Sequence, residues 1–344
     1  MRSGTREMWL LLVCSALAAS CSSSGGTSGS GGSGGSGGGA GGAHSSGLPV
    51  PPGGGGQAKP AGAPGNLTVL DWAGFNSAVS WTFDDAQPSH IAHYAELAAV
   101  GVPVTYYIIT GLSGSEAGYD TTWSQAIADG SEVGNHTVHH CHADLTGCTT
   151  GTALSTAADE LDQASQYIAD HYPAQGRCWT AASPYGDTGY DSADATRFLV
   201  NRGVNGGAIG AKDATDPFNL PTYTAQTGDT AAVFNAKIDA AHAGGRWQIL
   251  LVHSITPTDQ LWYNPVAITD VTASMAYAKS LGDVWSDSVV HVAAYWLGQK
   301  LLAAAVPASA GTGQTWSWTL PPNFPPGRYL RVTLTGGTPS QAGV

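Results

Sequence analysis

Residues 78–85 read Ala-Val-Ser-Trp-Thr-Phe-Asp-Asp. The first six are apolar, β-branched or aromatic in the main, which predicts a buried strand over 78–83. The run ends on two adjacent carboxylates, Asp84 and Asp85. Working outward, similar runs predict strands over 102–109 (VPVTYYII), 132–137 (EVGNHT), 177–182 (RCWTAA), 206–210, 247–253 (WQILLVH) and 288–292. Helical stretches fall between them at 89–100, 122–129, 153–171, 190–202, 229–243 and 270–281, with a last one over 293–305. Repeated β-then-α units give a parallel sheet with helices outside it, because crossovers are right-handed and cover the strand faces. The expected fold class is α/β, a distorted (β/α)7-type barrel. In such barrels chemistry sits at the C-terminal ends of the strands.

The chain has 344 residues, of which 11% are charged, and carries a formal net charge of -12. Residues 66–344 hold 10 basic and 24 acidic side chains. An acidic surface repels phosphate backbones, so sequence-independent nucleic-acid binding is disfavoured. Nineteen of the 47 glycines fall in residues 22–65, a Gly/Ser/Pro-rich stretch that reads as flexible linker. A linker of that length reaches roughly 35–40 Å by the square-root law. The expected organisation is a signal over 1–21, the linker over 22–65, one catalytic domain over 66–305 and a tail over 306–344. In the tail, prolines are followed by an alternating run at 329–334, which reads as a β-type segment and the start of an incomplete module.

The N-terminus, MRSGTREMWLLLVCSALAASC, has a basic start at Arg2 and Arg6 and a short apolar stretch from Met8 to Leu17. That is an export signal by composition. Ala18-Ala19-Ser20-Cys21 is similar to a bacterial lipobox, which would make Cys21 the lipidated first residue of the mature chain. Ordinary cleavage, with Cys21 an incidental thiol, is the alternative. The expected location is the cell envelope of a bacterium by way of a membrane lipid anchor, or the secreted fraction. Cys141, Cys148 and Cys178 remain, and export permits a disulfide. Cys141–Cys148 is the first choice because it closes a short loop, with Cys178 an open alternative partner.

Four features fall at the ends of different predicted strands. Asp84-Asp85 follows the first, and two neighbouring carboxylates repel unless a cation or proton is shared. His136-Thr137-Val138-His139-His140 follows the third, and its i, i+4 imidazoles can hold one cation if they share a helical turn. Ser183-Pro184-Tyr185-Gly186 follows the fourth, a rigid turn able to present a backbone N–H. Leu251-Val252-His253 ends the sixth. Taken singly, each also fits a solvated pair, a His-rich loop, an ordinary turn or a hydrogen-bonded structural histidine.

In that order, DD then HxxxH then xPYG then LxH, they resemble the polysaccharide deacetylase family, the NodB-homology or carbohydrate esterase family 4 group. TFDD and HTVHH are the specific parts, and the resemblance spans roughly residues 76–300. It implies that Asp85, His136 and His140 bind a divalent metal, Zn²⁺ first among them. It implies Asp84 as general base, His253 as general acid, and the Tyr185 N–H as a partner for the oxyanion. The implied activity is removal of acetyl groups from an N- or O-acetylated polysaccharide of peptidoglycan, chitin or xylan type.

The sequence departs from the family pattern where many members carry an Arg that orients the base. Ala182 stands there, and Arg177 is only a neighbour in sequence. The family's fourth motif has no secure counterpart, with Asp213, Asp216 and Trp247 as the guesses. Aromatic faces stack on sugars, and Trp81, Trp123, Trp179 and Trp247 lie near predicted strand ends. Trp262 and Tyr263, just after His253, are the preferred substrate-stacking pair, with Pro184 a further substrate contact. Two other readings compete. One is a catalytically weak or inactive glycan-binding lipoprotein of the same fold. The other is a glycosidase, which needs carboxylates facing each other at about 5–9.5 Å, something the neighbours Asp84 and Asp85 cannot supply.

Overall fold

The computed structural model describes residues 6–12, 47–52, 67–112, 118–259, 263–310 and 313–334. Cys21 and nearly all of the linker lie outside them. Seven strands run parallel: β1 (Ser77–Asp84), β2 (Thr105–Ile108), β3 (Glu132–Asn135), β4 (Thr180–Ala182), β5 (Val200–Arg202), β6 (Arg246–Val252) and β7 (Val284–Ser286). Their order is β5-β4-β3-β2-β1-β6, and β7 pairs with the first residues of β1. The curled sheet forms a half-barrel. Its open side, between β5 and β6, is spanned by residues 203–225. That segment bonds to β5 through Asn201, which donates to the Pro217 carbonyl and accepts from the Leu220 N–H, and to β6 through Ala225 and the pairing of Tyr223–Thr224. The α/β distorted barrel expected from the sequence is therefore the fold.

The helices are α1 (Pro88–Ala92), α2 (Tyr94–Ala99), α3 (Tyr119–Ala128), α4 (Ala157–His171), α5 (Asp191–Asp194), α6 (Ala231–Ala243), α7 (Ile268–Ser280) and α8 (Val289–Ala304). Two strands expected from sequence are corrected. Residues 200–202, read as the end of a helix, form β5, and of 206–210 only Ile209–Gly210 pairs, antiparallel to β6. The β-branched run at 288–292 begins α8 instead of a strand. Its first N–H groups find acceptors far away in sequence: Val289 donates to Thr105 Oγ1 (2.9 Å) and Val290 to Glu132 Oε2 (3.0 Å). A helix start satisfied by buried tertiary acceptors overrides strand propensity.

The described part of the segment after α8 packs against the barrel. Phe324, Leu330 and Val332 share a buried cluster with Trp72, Trp247, Trp285 and Trp296. Arg328–Leu334 pairs antiparallel with Leu67–Val69 on one side and with Arg6–Leu12 on the other. Arg331 is fully buried and donates to the carbonyls of Ala73 and Pro49. A disulfide joins Cys141 to Cys148, and Cys178 is a buried thiol. None of the helices among the described residues is long and apolar enough to cross a membrane.

Candidate active site

The C-terminal ends of β1, β3, β4, β5 and β6 open on one cavity of 580 Å³. Asp84 and Asp85 enter it from β1, His136 and His140 from the turn after β3, Ser183 and Tyr185 after β4, Arg202 from β5, and His253 after β6. Val204, Thr224, Gln226 and Tyr263 also line it.

Asp85, His136 and His140 each offer one ligand atom, and these atoms lie within 4.8 Å of one another. Oδ1 of Asp85 is buried, with Nε2 of His136 at 3.2 Å and Nε2 of His140 at 3.4 Å. The opposite ring nitrogens are also held. Nδ1 of His136 donates to the Ala182 carbonyl (2.6 Å), and Nδ1 of His140 meets the Thr149 hydroxyl (3.0 Å). The carbonyl can only accept, so the outer hydrogen bond of His136 turns its Nε2 toward the carboxylate, as such bonds do for metal-ligating histidines. Two imidazoles, one carboxylate and an open cavity fit a divalent cation with coordination positions to spare.

The electrostatics agree with a site built for positive charge. Burial opposes ionisation of Asp85, yet the hydrogen bond and charge of His136, with His253 and His140 beyond, hold its carboxyl well below the usual range. Burial also opposes charge on His136, but Asp84 and Asp85 outweigh it and raise its pKa. Burial and the neighbouring His136 push His140 down to about 4.

The backbone is held in unusual conformations around this cavity. Asp85 (φ 71°), Thr137 (φ 64°), His140 (φ 53°) and Tyr185 (φ 59°) are all in the left-handed region. Each such residue costs about 1–3 kcal/mol and persists where the surroundings over-determine it, typically at functional sites. The HxxxH pair is therefore not on a helical turn, as the i, i+4 argument assumed. The two rings meet at 4.7 Å because the chain reverses at Thr137 and His140.

Sequence reasoning missed Arg202. It is fully buried, donates through Nη2 to Oδ2 of Asp84, and lies over the Tyr107 ring at 5.3 Å. The second carboxylate oxygen of Asp84, Oδ1, is buried without a hydrogen bond. The basic partner that Ala182 lacks is thus supplied by the neighbouring strand. Reading 190–202 as helix hid it, because the residue was then expected on a helix surface.

His253 lies at the cavity, where burial lowers its pKa against the opposing pull of Asp84 and Asp85. Its carbonyl accepts from Nε2 of the buried His90, and its Nδ1 is buried with no hydrogen-bond partner. Tyr263 is exposed and meets the His253 ring edge-on at 4.8 Å. Tyr185, also exposed, stacks on His142 (4.1 Å), and its hydroxyl donates to the Gly147 carbonyl (2.6 Å) inside the disulfide loop. Trp262 lies outside the described residues. Pro184, expected to touch substrate, is buried and does not line the cavity; it shapes the turn that presents Tyr185.

The fourth-motif guesses are not at the cavity. Asp213 accepts from the Gly210 N–H, Asp216 from the Phe218 N–H, and Trp247 is buried in the core. Trp81 and Trp123 are also fully buried. Trp179 lies under Arg177, which donates to the Arg197 carbonyl and is likewise absent from the cavity. A polar chain lies behind the wall: Asn201 donates to Ser183 Oγ (2.7 Å), which donates to the buried Asp194 (3.2 Å).

An α/β half-barrel with a carboxylate and two histidines at its strand ends is the architecture that the TFDD and HTVHH motifs anticipate. Residues 75–202 match the family model described as polysaccharide deacetylase, and over that stretch the resemblance to the family holds. No curated protein matches the chain. Among solved structures the chain is similar to a protein of Mycobacterium smegmatis assigned as a polysaccharide deacetylase, at 15% identity and TM-score 0.49, covering 71% of this chain and 96% of that one. It is also similar to the peptidoglycan deacetylase PdaC of Bacillus subtilis (14% identity, TM-score 0.38, 62% and 89% covered). A third is a family 4 acetyl xylan esterase of Clostridium thermocellum in complex with a cobalt ion (16% identity, TM-score 0.40, 62% and 89% covered).

Proposed function

We propose that this protein is a metal-dependent hydrolase that removes acetyl groups from an N- or O-acetylated polysaccharide. The observation that carries this reading is the convergence of both Nε2 atoms on Oδ1 of Asp85, beside the Asp84–Arg202 pair and His253. Asp85, His136 and His140 would hold a divalent cation, Zn²⁺ by the nitrogen-rich donor set. When bound, that ion supplies Lewis-acid polarisation of an acetyl carbonyl and a lowered pKa for water.

The chain's own groups then divide the proton work. Asp84 is anchored at Oδ2 by Arg202, which leaves Oδ1 to accept a proton from the attacking water. Arg202 fixes the carboxylate's direction, which lowers the reorganisation needed as the proton moves. The Tyr185 N–H, in the strained turn after β4, is the donor for the developing oxyanion. His253 delivers a proton to the departing amine or alkoxide. The products are acetate and a deacetylated sugar. Tyr185 and Tyr263 flank the opening as aromatic faces for sugar rings.

A second reading, a glycan-binding protein with weak or no turnover, is favoured by one observation: Nδ1 of His253 has no acceptor among the described residues. The glycosidase reading loses ground because Asp84 and Asp85 are the only carboxylates among the residues lining the described cavity. Acetate release from acetylated chitooligosaccharide, peptidoglycan and acetylxylan, with and without a chelator, separates the first two. Chelator-sensitive release supports the hydrolase. No release from any of the three at saturating zinc overturns it in favour of the binder.

The address read from the N-terminus belongs to the same proposal: export, lipidation at Cys21, and the linker holding the domain off a bacterial envelope membrane, with secretion the alternative. Cys21→Ser expressed in a bacterial host should move the protein from the membrane to the soluble fraction. Persistent membrane association would argue against an anchor at that residue.

A further inference from the structure

The loop that carries His140 is closed by one side chain that the proposed chemistry does not use. Glu160, in the first turn of α4, is fully buried. Its Oε2 accepts from the backbone N–H groups of Val138 (3.0 Å) and His139 (2.8 Å). Its Oε1 accepts from the N–H of Leu154 (2.9 Å) and from Nδ1 of His139 (2.9 Å). The donors come from both ends of the segment 138–154, so the carboxylate adds to the backbone bonds from Thr149 and Thr150 to the His139 carbonyl in tying the loop's entry to its exit. Within that closure lie the Cys141–Cys148 disulfide and Thr149, the partner of the His140 ring.

Val138 and His139 sit between the two left-handed residues of the turn, Thr137 and His140. The turn keeps that shape only if its neighbours leave it no alternative. Part of the constraint is local: Thr137 N–H donates to Asn135 Oδ1 (2.8 Å), and His140 N–H donates to Thr137 Oγ1 (2.9 Å). The two residues between have no such local acceptor for their N–H groups, and both turn to Glu160.

We infer that Glu160 is a positioning residue for the metal-binding side chains. It sets the backbone from which His140 projects, and so presets the spacing of the His136 and His140 imidazoles for a divalent cation. The inference rests on the proposed assignment of Asp85, His136 and His140 as ligands.

A buried carboxylate elsewhere in the sheet supplies the control. Glu132 is also buried and accepts from Thr180 Oγ1 (2.7 Å), Thr105 Oγ1 (3.0 Å) and the Val290 N–H, but it serves the start of α8 and not the histidine turn. The experiment is calorimetric titration of the full chain with Zn²⁺, comparing wild type, Glu160→Gln and Glu132→Gln, with circular dichroism as the check on folding. A glutamine amide turns an NH₂ toward two of the four N–H donors and cannot accept from them. Glu160→Gln should bind Zn²⁺ about tenfold or more weakly, the range seen when outer-sphere partners of a metal site are lost. Glu132→Gln should lower thermal stability and leave Zn²⁺ affinity unchanged. Equal affinity in wild type and Glu160→Gln overturns the inference. If Glu160→Gln does not fold, His139→Ala, which removes one of the four bonds, takes its place; a severalfold loss of affinity supports the inference and no loss overturns it. A wild-type chain that binds no Zn²⁺ overturns the ligand assignment itself, an outcome distinct from the others.

Discussion

Arg202 and Asp84 are 118 residues apart in sequence and form a buried ion pair at the cavity, where Arg202 is the only Lys or Arg among the described residues that line the walls. Taking one partner from a buried pair leaves an uncompensated charge and costs about 3–5 kcal/mol. Arg202→Met should therefore lower the melting temperature and reduce acetate release by about 100-fold or more, while bound metal stays stoichiometric. Unchanged turnover in a folded Arg202→Met would remove Arg202 from any role in orienting the base.

Asp84 and Asp85 should separate cleanly by mutation. Asp84→Asn keeps Asp85 and both histidines, so the metal should remain while turnover falls by about 10²–10⁴-fold. Elemental analysis of the purified variant, with an acetate assay beside it, measures both. Wild-type turnover in Asp84→Asn would exclude it as the base.

His136→Ala and His140→Ala each remove one of two nitrogen donors. Metal content after dialysis against a weak chelator should drop to well below one ion per chain in both. Full occupancy in both variants would refute the ligand assignment.

Asp194 governs a pH dependence of stability. Burial raises its pKa to about 7, against the opposing hydrogen bond from Ser183. The folded state therefore holds a proton that the unfolded chain releases near pH 4. The stability this contributes is full below about pH 4 and is lost as pH rises through about 7. Asp194→Asn, which cannot ionise, should flatten the melting temperature between pH 4 and 8 and be relatively more stable at the alkaline end. Parallel pH profiles for wild type and variant would contradict this.

Tyr263 is 61% exposed and rests on the edge of His253. Loss of an aromatic contact worth about 0.5–1.5 kcal/mol should raise KM roughly 2–10-fold in Tyr263→Ala, with kcat less affected. A fall in kcat at constant KM would instead assign the ring to holding His253.

Much of this was legible in the chain. The run 78–83 lay in β1, TFDD at its end marked the cavity, and the disulfide is the one that closes the short loop 141–148. Strong periodicity and a strand-end position are local properties, so they survive without knowledge of the fold. The misreadings share a cause. Val200-Asn201-Arg202 is too short and polar to announce a strand, and its strand state comes from pairing with Thr180–Ala182. Val289 and Val290 look like strand residues and become helical because Thr105 and Glu132 accept their N–H groups.

The sequence by itself determined the alternation of β and α elements and the identity of the residues gathered at the first, third, fourth and sixth strand ends. Those follow from side-chain periodicity and from which side chains can carry charge or donate a lone pair. Only the tertiary structure decided that His136 and His140 converge through a left-handed reversal, and that the cation beside Asp84 comes from a different strand than the motif would suggest. It also decided that the C-terminal strand closes against residues 67–69. Each of these depends on groups brought together across long stretches of chain, where burial and pairing energies outweigh local propensity.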